Sequence, residues 1–310
     1  FDKWDKWRMA NPKGSGKKKQ PPKQSTIADE MSVFREVWNW GIKEGFIRQS
    51  LKKPFDGYNL VEDEEVRRQT WELTEWNEFI KRECDWYALE QNSEDQERVW
   101  HSFLAHQLIR ICACSGLRPK EWSLLKWKDV NLFDIENAVD EYEKLGAEIT
   151  TDPSTKTGQR QAYCTGGIYF QNIYEKTKFK GKNDWIFADL EGKRLEPDWF
   201  SDIFNGSGKC NGLMDFTDQY KLTGKHLVPY CLRHFYASQS IYNGVPEQII
   251  ADNMGITKTR LNRSYKHCFG RLQTKQLFAK SGTQSPINNM RSLGTGEYAF
   301  FMGSRNKKVP

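Results

Sequence analysis

The sequence has no long apolar stretch of the kind that a membrane segment requires. No run approaches the 18 or more consecutive apolar residues of a membrane span. The first residues, FDKWDKW, lack the basic region and the following apolar region of a signal peptide. An initiator Met is absent as well, which indicates that the chain is a fragment of something longer. These absences argue against a membrane protein and against an exported one.

Paired cysteines are also missing. The seven cysteines are odd in number and include no C-x-x-C pair, so they fit neither a disulfide framework nor a zinc site. Cys112 and Cys114 lie two positions apart in an apolar run, where a helix would direct them to different faces, and we expect them to fill the core. We therefore predict reduced thiols in a cytoplasmic protein, with no metal and no cofactor.

Charge is nearly balanced in this chain. Lys and Arg number 47 and Asp and Glu number 41, for a net charge of +6. This small excess favours a polyanionic partner, but it is equally compatible with an ordinary basic protein. At 310 residues and 37% hydrophobic composition, the chain can bury the core of one large domain and has room for a smaller piece.

Two connectors predict the domain organisation. Residues 11–24, NPKGSGKKKQPPKQ, contain Pro, Gly and five lysines and indicate a flexible loop. A helical period follows from about Thr26 to Gly45. A second connector at 51–65 places a boundary between residues 52 and 65. The predicted parts are a small helical domain over 1–58, a large domain over 59–280 and a loosely held tail over 281–310.

The large domain is predicted to be mostly helical with one small antiparallel sheet. Residues 147–151 and 160–164 indicate two strands joined by the turn DPSTKTGQ. Helices are expected at 101–115, from Pro119 onward, and at several later segments, namely 167–178, 197–206, 232–244, 246–255 and 259–267. Among the expected helix caps are Gly244, Gly255 and Thr257.

Two basic residues occupy positions that suit phosphate chemistry. Arg118 stands between a glycine bend and a helix start, where its guanidinium group and backbone N–H groups could bind a phosphate. The alternative is a structural ion pair between Arg118 and Glu121. Lys156 lies at the tip of the predicted hairpin, and an exposed turn lysine is ordinarily no more than a solvated side chain.

A tyrosine near the end of the large domain is the candidate nucleophile. Arg233 and His234 stand at the head of a predicted helix, directly behind Tyr230. Farther along, Tyr265 lies among cationic neighbours in the sequence. A phenol has a pKa near 10, so nearby cations would help it to react near neutral pH. The alternative is an aromatic core residue. The neighbours of this tyrosine are Arg260, Arg263, Lys266 and His267.

Taken in order, four segments resemble the tyrosine recombinase family, which includes phage integrases and Xer-type resolvases. GLRPKEWSLLKWKDV is similar to the box around the first catalytic arginine, and STKTG is similar to the hairpin of the catalytic lysine. YCLRHFYAS resembles the H-x-L-R-H box, and NMGITKTRLNRSYKH resembles the stretch that ends at the nucleophile. Each match is weak alone, but four in the correct order over residues 65–275 are specific.

The resemblance implies an enzyme that cleaves and rejoins DNA at specific sites through a 3′-phosphotyrosyl link. It implies a nucleophile at Tyr265 and a general acid at Lys156, with charge stabilisation by two arginines. The full implied set is catalytic Tyr265, Arg118, Arg233, Lys156, Tyr230 and His267, supporting Glu121 and His234, and DNA-contacting Lys17, Lys18, Lys19, Arg260 and Arg263.

The implied partners are double-stranded DNA, three further copies of the chain in a tetramer and an accessory DNA-bending or directionality factor. Residues 24–47 resemble the closing helices of the family's core-binding domain, which clamps the opposite face of the DNA. Two positions depart from the pattern: Tyr230 replaces a histidine, and Ile256 replaces a histidine or tryptophan. They leave open a catalytically impaired DNA-binding relative, and a type IB topoisomerase is the other alternative.

Overall fold

The computed structural model describes residues 4–11, 21–22, 24–54, 69–136 and 144–278, with the backbone alone at 5, 24, 25, 266, 267 and 271–278. The chain divides into two compact units, Phe1–Arg67 and Arg68–Pro310. The domain boundary at 58 and the tail over 281–310 stay predictions, since both lie outside the described residues. Within the described ranges, no helix has both the length and the apolar character needed to cross a membrane.

The first unit contains α1 (Trp4–Ala10) and α2 (Gln24–Lys43). Ile27 and Met31, one helical turn apart on α2, are fully buried. A salt bridge of 3.0 Å joins Arg8 of α1 to Glu30 of α2. The predicted helix is confirmed, and it begins slightly earlier than the periodicity indicated.

The second unit is mostly helical with a small antiparallel sheet, as predicted. Its elements are α3 (Leu73–Glu90), α4 (Gln96–Ser115), α5 (Pro119–Ser123), β1 (Val130–Asp134), β2 (Leu145–Thr150), β3 (Gln161–Cys164), α6 (Gly167–Lys176), α7 (Pro197–Asn205), α8 (Leu213–Phe216), α9 (Gln219–Thr223), α10 (Tyr230–Tyr242), α11 (Glu247–Met254) and α12 (Lys258–Phe278).

Helix α4 runs through the centre of this unit. Asp95 caps its first turn by accepting from the backbone N–H of Glu97 at 2.9 Å, and Gly116 ends it in the left-handed conformation at φ 65°. Most of its side chains are buried against α3, α6 and α10. Cys112 is part of this core, as expected, and all seven cysteines are free thiols.

The three strands form an antiparallel sheet in the order β1, β2, β3. Ala147 pairs with Cys164 across the predicted hairpin, which is therefore confirmed. Strand β1 was not predicted. Its sequence, VNLFD, lacks the apolar alternation of a half-buried strand, and four of its five residues are exposed.

Helices α10, α11 and α12 enclose a second apolar cluster. Gly255 ends α11 at φ 59°, and the Thr257 hydroxyl accepts from the backbone N–H of Arg260 at 3.2 Å, so both predicted caps are confirmed. Gly244, at φ 73°, follows the cap residue Asn243 of α10 by one position. Helix α12 is longer than predicted, and Tyr265 interrupts it with non-helical angles of φ −126° and ψ 18°.

Candidate active site

Arg118 lies where α4 ends and α5 begins. Its backbone N–H donates to Glu121 Oε2 at 2.8 Å, and its Nη1 donates to Glu121 Oε1 at 2.7 Å. Its Nη2 reaches across to the carbonyl oxygen of Gly255 at 2.8 Å. The ion pair considered as an alternative is therefore present, and it holds the guanidinium group beside the end of α11.

Glu121 is fully buried beneath this arginine. Burial acts to raise the pKa of its carboxyl group, but the guanidinium groups of Arg160 and Arg118 outweigh that effect and lower the pKa below its ordinary value. Glu121 is therefore a carboxylate at neutral pH, and its two oxygens hold the guanidinium groups of Arg118 and Arg160 in place.

Arg233, on the first turn of α10, is 2% exposed. Its Nη1 donates to the carbonyl oxygen of Gly116, and its Nη2 donates to that of Met254 at 2.5 Å. Burial, followed by the positive charge of Arg118, lowers the pKa of Arg233 to about 10. The group still carries its proton at neutral pH. The structure thus brings the two predicted arginines, 115 residues apart in sequence, to one place.

A third arginine, which was not predicted from the sequence, completes this arginine cluster. Arg160, between the hairpin turn and β3, donates from Nη2 to Glu121 Oε2 at 2.8 Å. Its Nη1 donates to the carbonyl oxygen of Asn253. The one available signal was its position directly after the turn that carries Lys156.

The end of α11 receives all three guanidinium groups on three consecutive carbonyl oxygens. Asn253 accepts from Arg160, Met254 from Arg233 and Gly255 from Arg118. The last carbonyl groups of a helix have no partner within the helix and carry a partial negative charge, so cations are favoured there. With Glu121 as the one carboxylate that pairs with them, the three arginines leave two positive charges in excess. Such a cluster is suited to a phosphate.

The hairpin carries Lys156 beside this cluster. Lys156 is exposed at the tip, as predicted. The next residue, Thr157, accepts a hydrogen bond on its hydroxyl from Arg118 Nη1 at 3.1 Å. The turn is closed by hydrogen bonds of its own, among them Thr155 N–H to the carbonyl oxygen of Asp152 at 3.1 Å. Through its neighbour Thr157, Lys156 therefore lies next to the arginine cluster in the folded protein.

Tyr265 is 3% exposed and belongs to the apolar cluster between α10 and α12. Its hydroxyl is hydrogen-bonded to Nδ1 of His234, the residue that follows Arg233 on α10. Arg260 and Arg263, its predicted cationic neighbours, are exposed on α12. The burial alone would suit an aromatic core residue, but the contact with His234 gives the hydroxyl a partner that can accept a proton.

The remaining predicted site residues are placed as follows. Tyr230 begins α10 and is 37% exposed, with its ring 5.0 Å from that of His234 in an edge-to-face arrangement. The side chain of His267 and residues 17–19, with their three lysines, lie outside the described residues. No group of three or more His, Cys, Asp or Glu residues within the described ranges could hold a metal ion.

Comparison with known sequences gives two matches. Residues 88–270, more than half of the chain, match the model of the phage integrase family. A probable integrase/recombinase protein of Methanocaldococcus jannaschii is 22% identical over 177 residues, which cover 56% of this chain and 48% of that protein. The chain thus spans about half the length of this curated relative.

Comparison with solved structures agrees on the fold. The Tn1549 transposon integrase in complex with transposon right end DNA has a TM-score of 0.56 and 18% identity, covering 89% of this chain and 84% of that one. The same integrase in complex with circular intermediate DNA has a TM-score of 0.53 and 16% identity, covering 81% and 78%. At this level of identity the likeness shows a shared fold.

Proposed function

The chain belongs to the phage integrase family, and on that premise we propose that it is a site-specific DNA recombinase that breaks and rejoins DNA through a phosphotyrosyl intermediate. One observation carries the proposal. Arg118 and Arg233 lie in one cluster with an excess of positive charge. The hydroxyl of Tyr265 is hydrogen-bonded to His234, the residue that follows Arg233. Such an arrangement supplies both an anion site and a nucleophile.

The reaction is a transesterification at a DNA phosphodiester. The hydroxyl oxygen of Tyr265 forms a bond to the scissile phosphorus, and the bond from phosphorus to the 5′-oxygen breaks. A 5′-hydroxyl from a partner strand later reverses the exchange, so the energy of the phosphodiester is retained without ATP. Negative charge on the non-bridging oxygens is stabilised by Arg118 and Arg233, and the loss of one such donor typically costs about 10²–10³ in rate.

Two proton transfers accompany the exchange. His234 takes the proton of the Tyr265 hydroxyl as the phenol is released from the cluster, because its Nδ1 is the hydrogen-bond partner of that hydroxyl in the DNA-free protein. Lys156 gives a proton to the departing 5′-oxygen, and the exposed hairpin tip leaves its ammonium group accessible to DNA. Tyr230 donates a hydrogen bond to a phosphate oxygen from the start of α10, and His267 is a further candidate for proton transfer.

Tyr265 has to leave the apolar cluster before it can attack. Its side chain is 3% exposed, and a phosphate in duplex DNA cannot enter the cluster between α10 and α12. The non-helical backbone at Tyr265 is the point at which α12 departs from regular geometry. We place the change that exposes the phenol at this residue.

The wider assembly follows the same proposal. Its substrate is double-stranded DNA at the attachment sites of a phage or other mobile element, recombined in the bacterial cytoplasm by four copies of the chain with an accessory DNA-bending or directionality factor. Residues 24–47 act in a clamp on the opposite DNA face. Lys17, Lys18, Lys19, Arg260 and Arg263 contact DNA phosphates.

Trapping of a covalent adduct tests the proposal. A nicked DNA substrate that loses its 5′-hydroxyl end after cleavage should accumulate a denaturant-resistant complex with the wild-type protein. Tyr265→Phe should bind the same DNA with nearly unchanged affinity and form no adduct. An adduct at Tyr236 or Tyr242 would refute the assignment, and no adduct at all would favour an impaired DNA-binding relative. Relaxation of plasmid without a specific site would instead favour a type IB topoisomerase.

A further inference from the structure

We propose that Arg160 is a positioning residue that fixes the β2–β3 hairpin, and with it Lys156, against the arginine cluster. The inference rests on the proposed function, because it concerns the delivery of the general acid. It adds a residue that none of the four sequence boxes includes.

Arg160 connects the hairpin to two other elements. Its backbone closes the hairpin, since Thr151 N–H donates to its carbonyl oxygen at 2.9 Å and its own N–H donates to the Thr151 hydroxyl at 3.0 Å. Its guanidinium group leaves the hairpin and donates to Glu121 on α5 and to the carbonyl oxygen of Asn253 on α11. A single side chain therefore holds the hairpin to both sides of the cluster.

The fit around Arg160 is close and specific for arginine. A Cβ atom on Gly255 would come within 2.6 Å of both Cδ and Nε of Arg160, so the side chain lies directly against that glycine. The Nε atom is buried and makes no hydrogen bond to any residue that the structure describes. A buried donor without a partner lowers stability, so the position of the side chain depends on the two hydrogen bonds of its terminal nitrogens. A lysine could keep the charge but lacks the planar fork needed to reach two acceptors.

The side chain of Asn253 makes a second contact between α11 and the hairpin, at strand β3. Its side-chain oxygen accepts from the backbone N–H of Tyr163 at 2.6 Å, and its amide nitrogen donates to the Tyr163 carbonyl oxygen at 3.2 Å. The backbone carbonyl of this residue is also the acceptor for Arg160. The base of the hairpin is thus fixed at Arg160 and Tyr163, and the tip with Lys156 extends from it.

The position of the tip matters because a general acid must lie within hydrogen-bond reach of the leaving oxygen. A displacement of about 1 Å can cost about 10²-fold in rate. Release of the hairpin base should therefore impair proton donation by Lys156 more than charge stabilisation by Arg118 or Arg233.

The test compares two substrates that differ in the leaving atom. One carries the ordinary 5′-bridging oxygen, and the other carries sulfur there, which departs as a thiolate and needs no proton. Arg160→Lys should slow cleavage of the oxygen substrate by about 10²-fold and recover to near the wild-type rate on the sulfur substrate. Lys156→Ala should show the same rescue. A variant with both Arg160→Lys and Lys156→Ala should cleave the oxygen substrate no more slowly than Lys156→Ala alone, because both substitutions impair the same proton transfer.

Arg98→Ala is the matched control. Arg98 pairs with the fully buried Glu90 through two hydrogen bonds of 2.5 and 2.9 Å, outside the arginine cluster. Its loss should lower stability without favouring one substrate over the other. If Lys156→Ala is rescued by sulfur but Arg160→Lys is equally slow on both substrates, Arg160 acts through Glu121 and Arg118, and the inference is wrong.

Amide hydrogen exchange gives a readout that does not depend on catalysis. The N–H groups of Thr155 and Gly158 bond within the turn, to Asp152 and to Thr155. They should exchange faster in Arg160→Lys than in the wild-type protein, and unchanged exchange would overturn the inference. If Lys156→Ala is not rescued by sulfur, the general-acid role in the proposed function fails, and the exchange result alone decides whether Arg160 anchors the hairpin.

Discussion

Replacement of Glu121 by glutamine should destabilise the DNA-free protein through electrostatics rather than packing. Glu121 accepts three hydrogen bonds of 2.7–2.8 Å, from the backbone and side chain of Arg118 and from Arg160. The substitution keeps the shape but raises the charge of the cluster from +2 to +3, while the side chains of Arg118 and Arg160 are only 14% and 10% exposed.

The magnitude follows from these contacts. Removal of one partner from a buried ion pair typically costs about 3–5 kcal/mol, because it leaves a buried charge uncompensated. The glutamine oxygen still accepts one hydrogen bond, so we expect the lower end, about 3 kcal/mol. For a domain of this size, that corresponds to a fall in Tm of roughly 6–12 °C.

DNA should reverse much of this loss, since a phosphate replaces the missing negative charge. Thermal unfolding of Glu121→Gln, measured by circular dichroism in a Tyr265→Phe background, should therefore show a larger gain in Tm with target duplex than the parent shows. The control is Glu90→Gln, which removes an equally buried carboxylate that pairs with Arg98. It should lose stability with no extra gain from DNA. A Glu121→Gln protein as stable as its parent, or one that DNA does not recover, would refute this account of the cluster.

Three further predictions address pH, metal and salt. Burial acts to raise the pKa of the Glu83 carboxyl group, but Arg110 and His106 lower it to about 2, below its ordinary value of 4.5. The stability that this shift provides, about 3 kcal/mol, should be lost as pH falls from 4.5 towards 2. Acid unfolding of Glu83→Gln should lack this part of the pH dependence, and an unchanged profile would contradict it. Cleavage should survive EDTA, because arginines supply the positive charge, and strict dependence on a divalent ion in the adduct assay would count against the mechanism. The logarithm of the DNA association constant should fall linearly with the logarithm of salt concentration, with a slope of about −0.9 for each phosphate neutralised. Arg260→Ala should reduce the magnitude of this slope by about 1. A slope equal to that of the wild-type protein would show that Arg260 does not contact DNA.

The parts of the fold that the sequence predicts are those whose signals are local. Helix α4 has an apolar run in its second half and a glycine after it, and it was predicted from residue 101, whereas it begins at Gln96 behind its cap Asp95. The hairpin has two short strands around a turn rich in Pro, Ser and Gly. Arg118 and Arg233 were predicted because each stands at a helix start, in a segment that resembles a family motif. Caps, turns and boxes of this kind need no knowledge of the tertiary structure.

The parts that could not be predicted depend on contacts between distant segments. Arg160 looks like any other turn-flanking arginine until α11 lies beside it, 93 residues away. The hydroxyl of Tyr265 meets a histidine 31 residues earlier, whereas the sequence pointed to its immediate neighbours. Strand β1 exists through pairing with β2 rather than through its own pattern. Tertiary contacts decide all three, and no local propensity reports them.

The end of α11 explains how a cluster of excess positive charge can be held ready before DNA arrives. A second carboxylate would neutralise the arginines more fully, but a phosphate would then have to displace a charged partner. Carbonyl oxygens at a helix end attract the guanidinium groups with a partial charge only. Asn253, Met254 and Gly255 thus orient Arg160, Arg233 and Arg118 while two positive charges stay uncompensated. The same helix end fixes β3 through the side chain of Asn253, so the arginine cluster and the hairpin that carries Lys156 are held by one element.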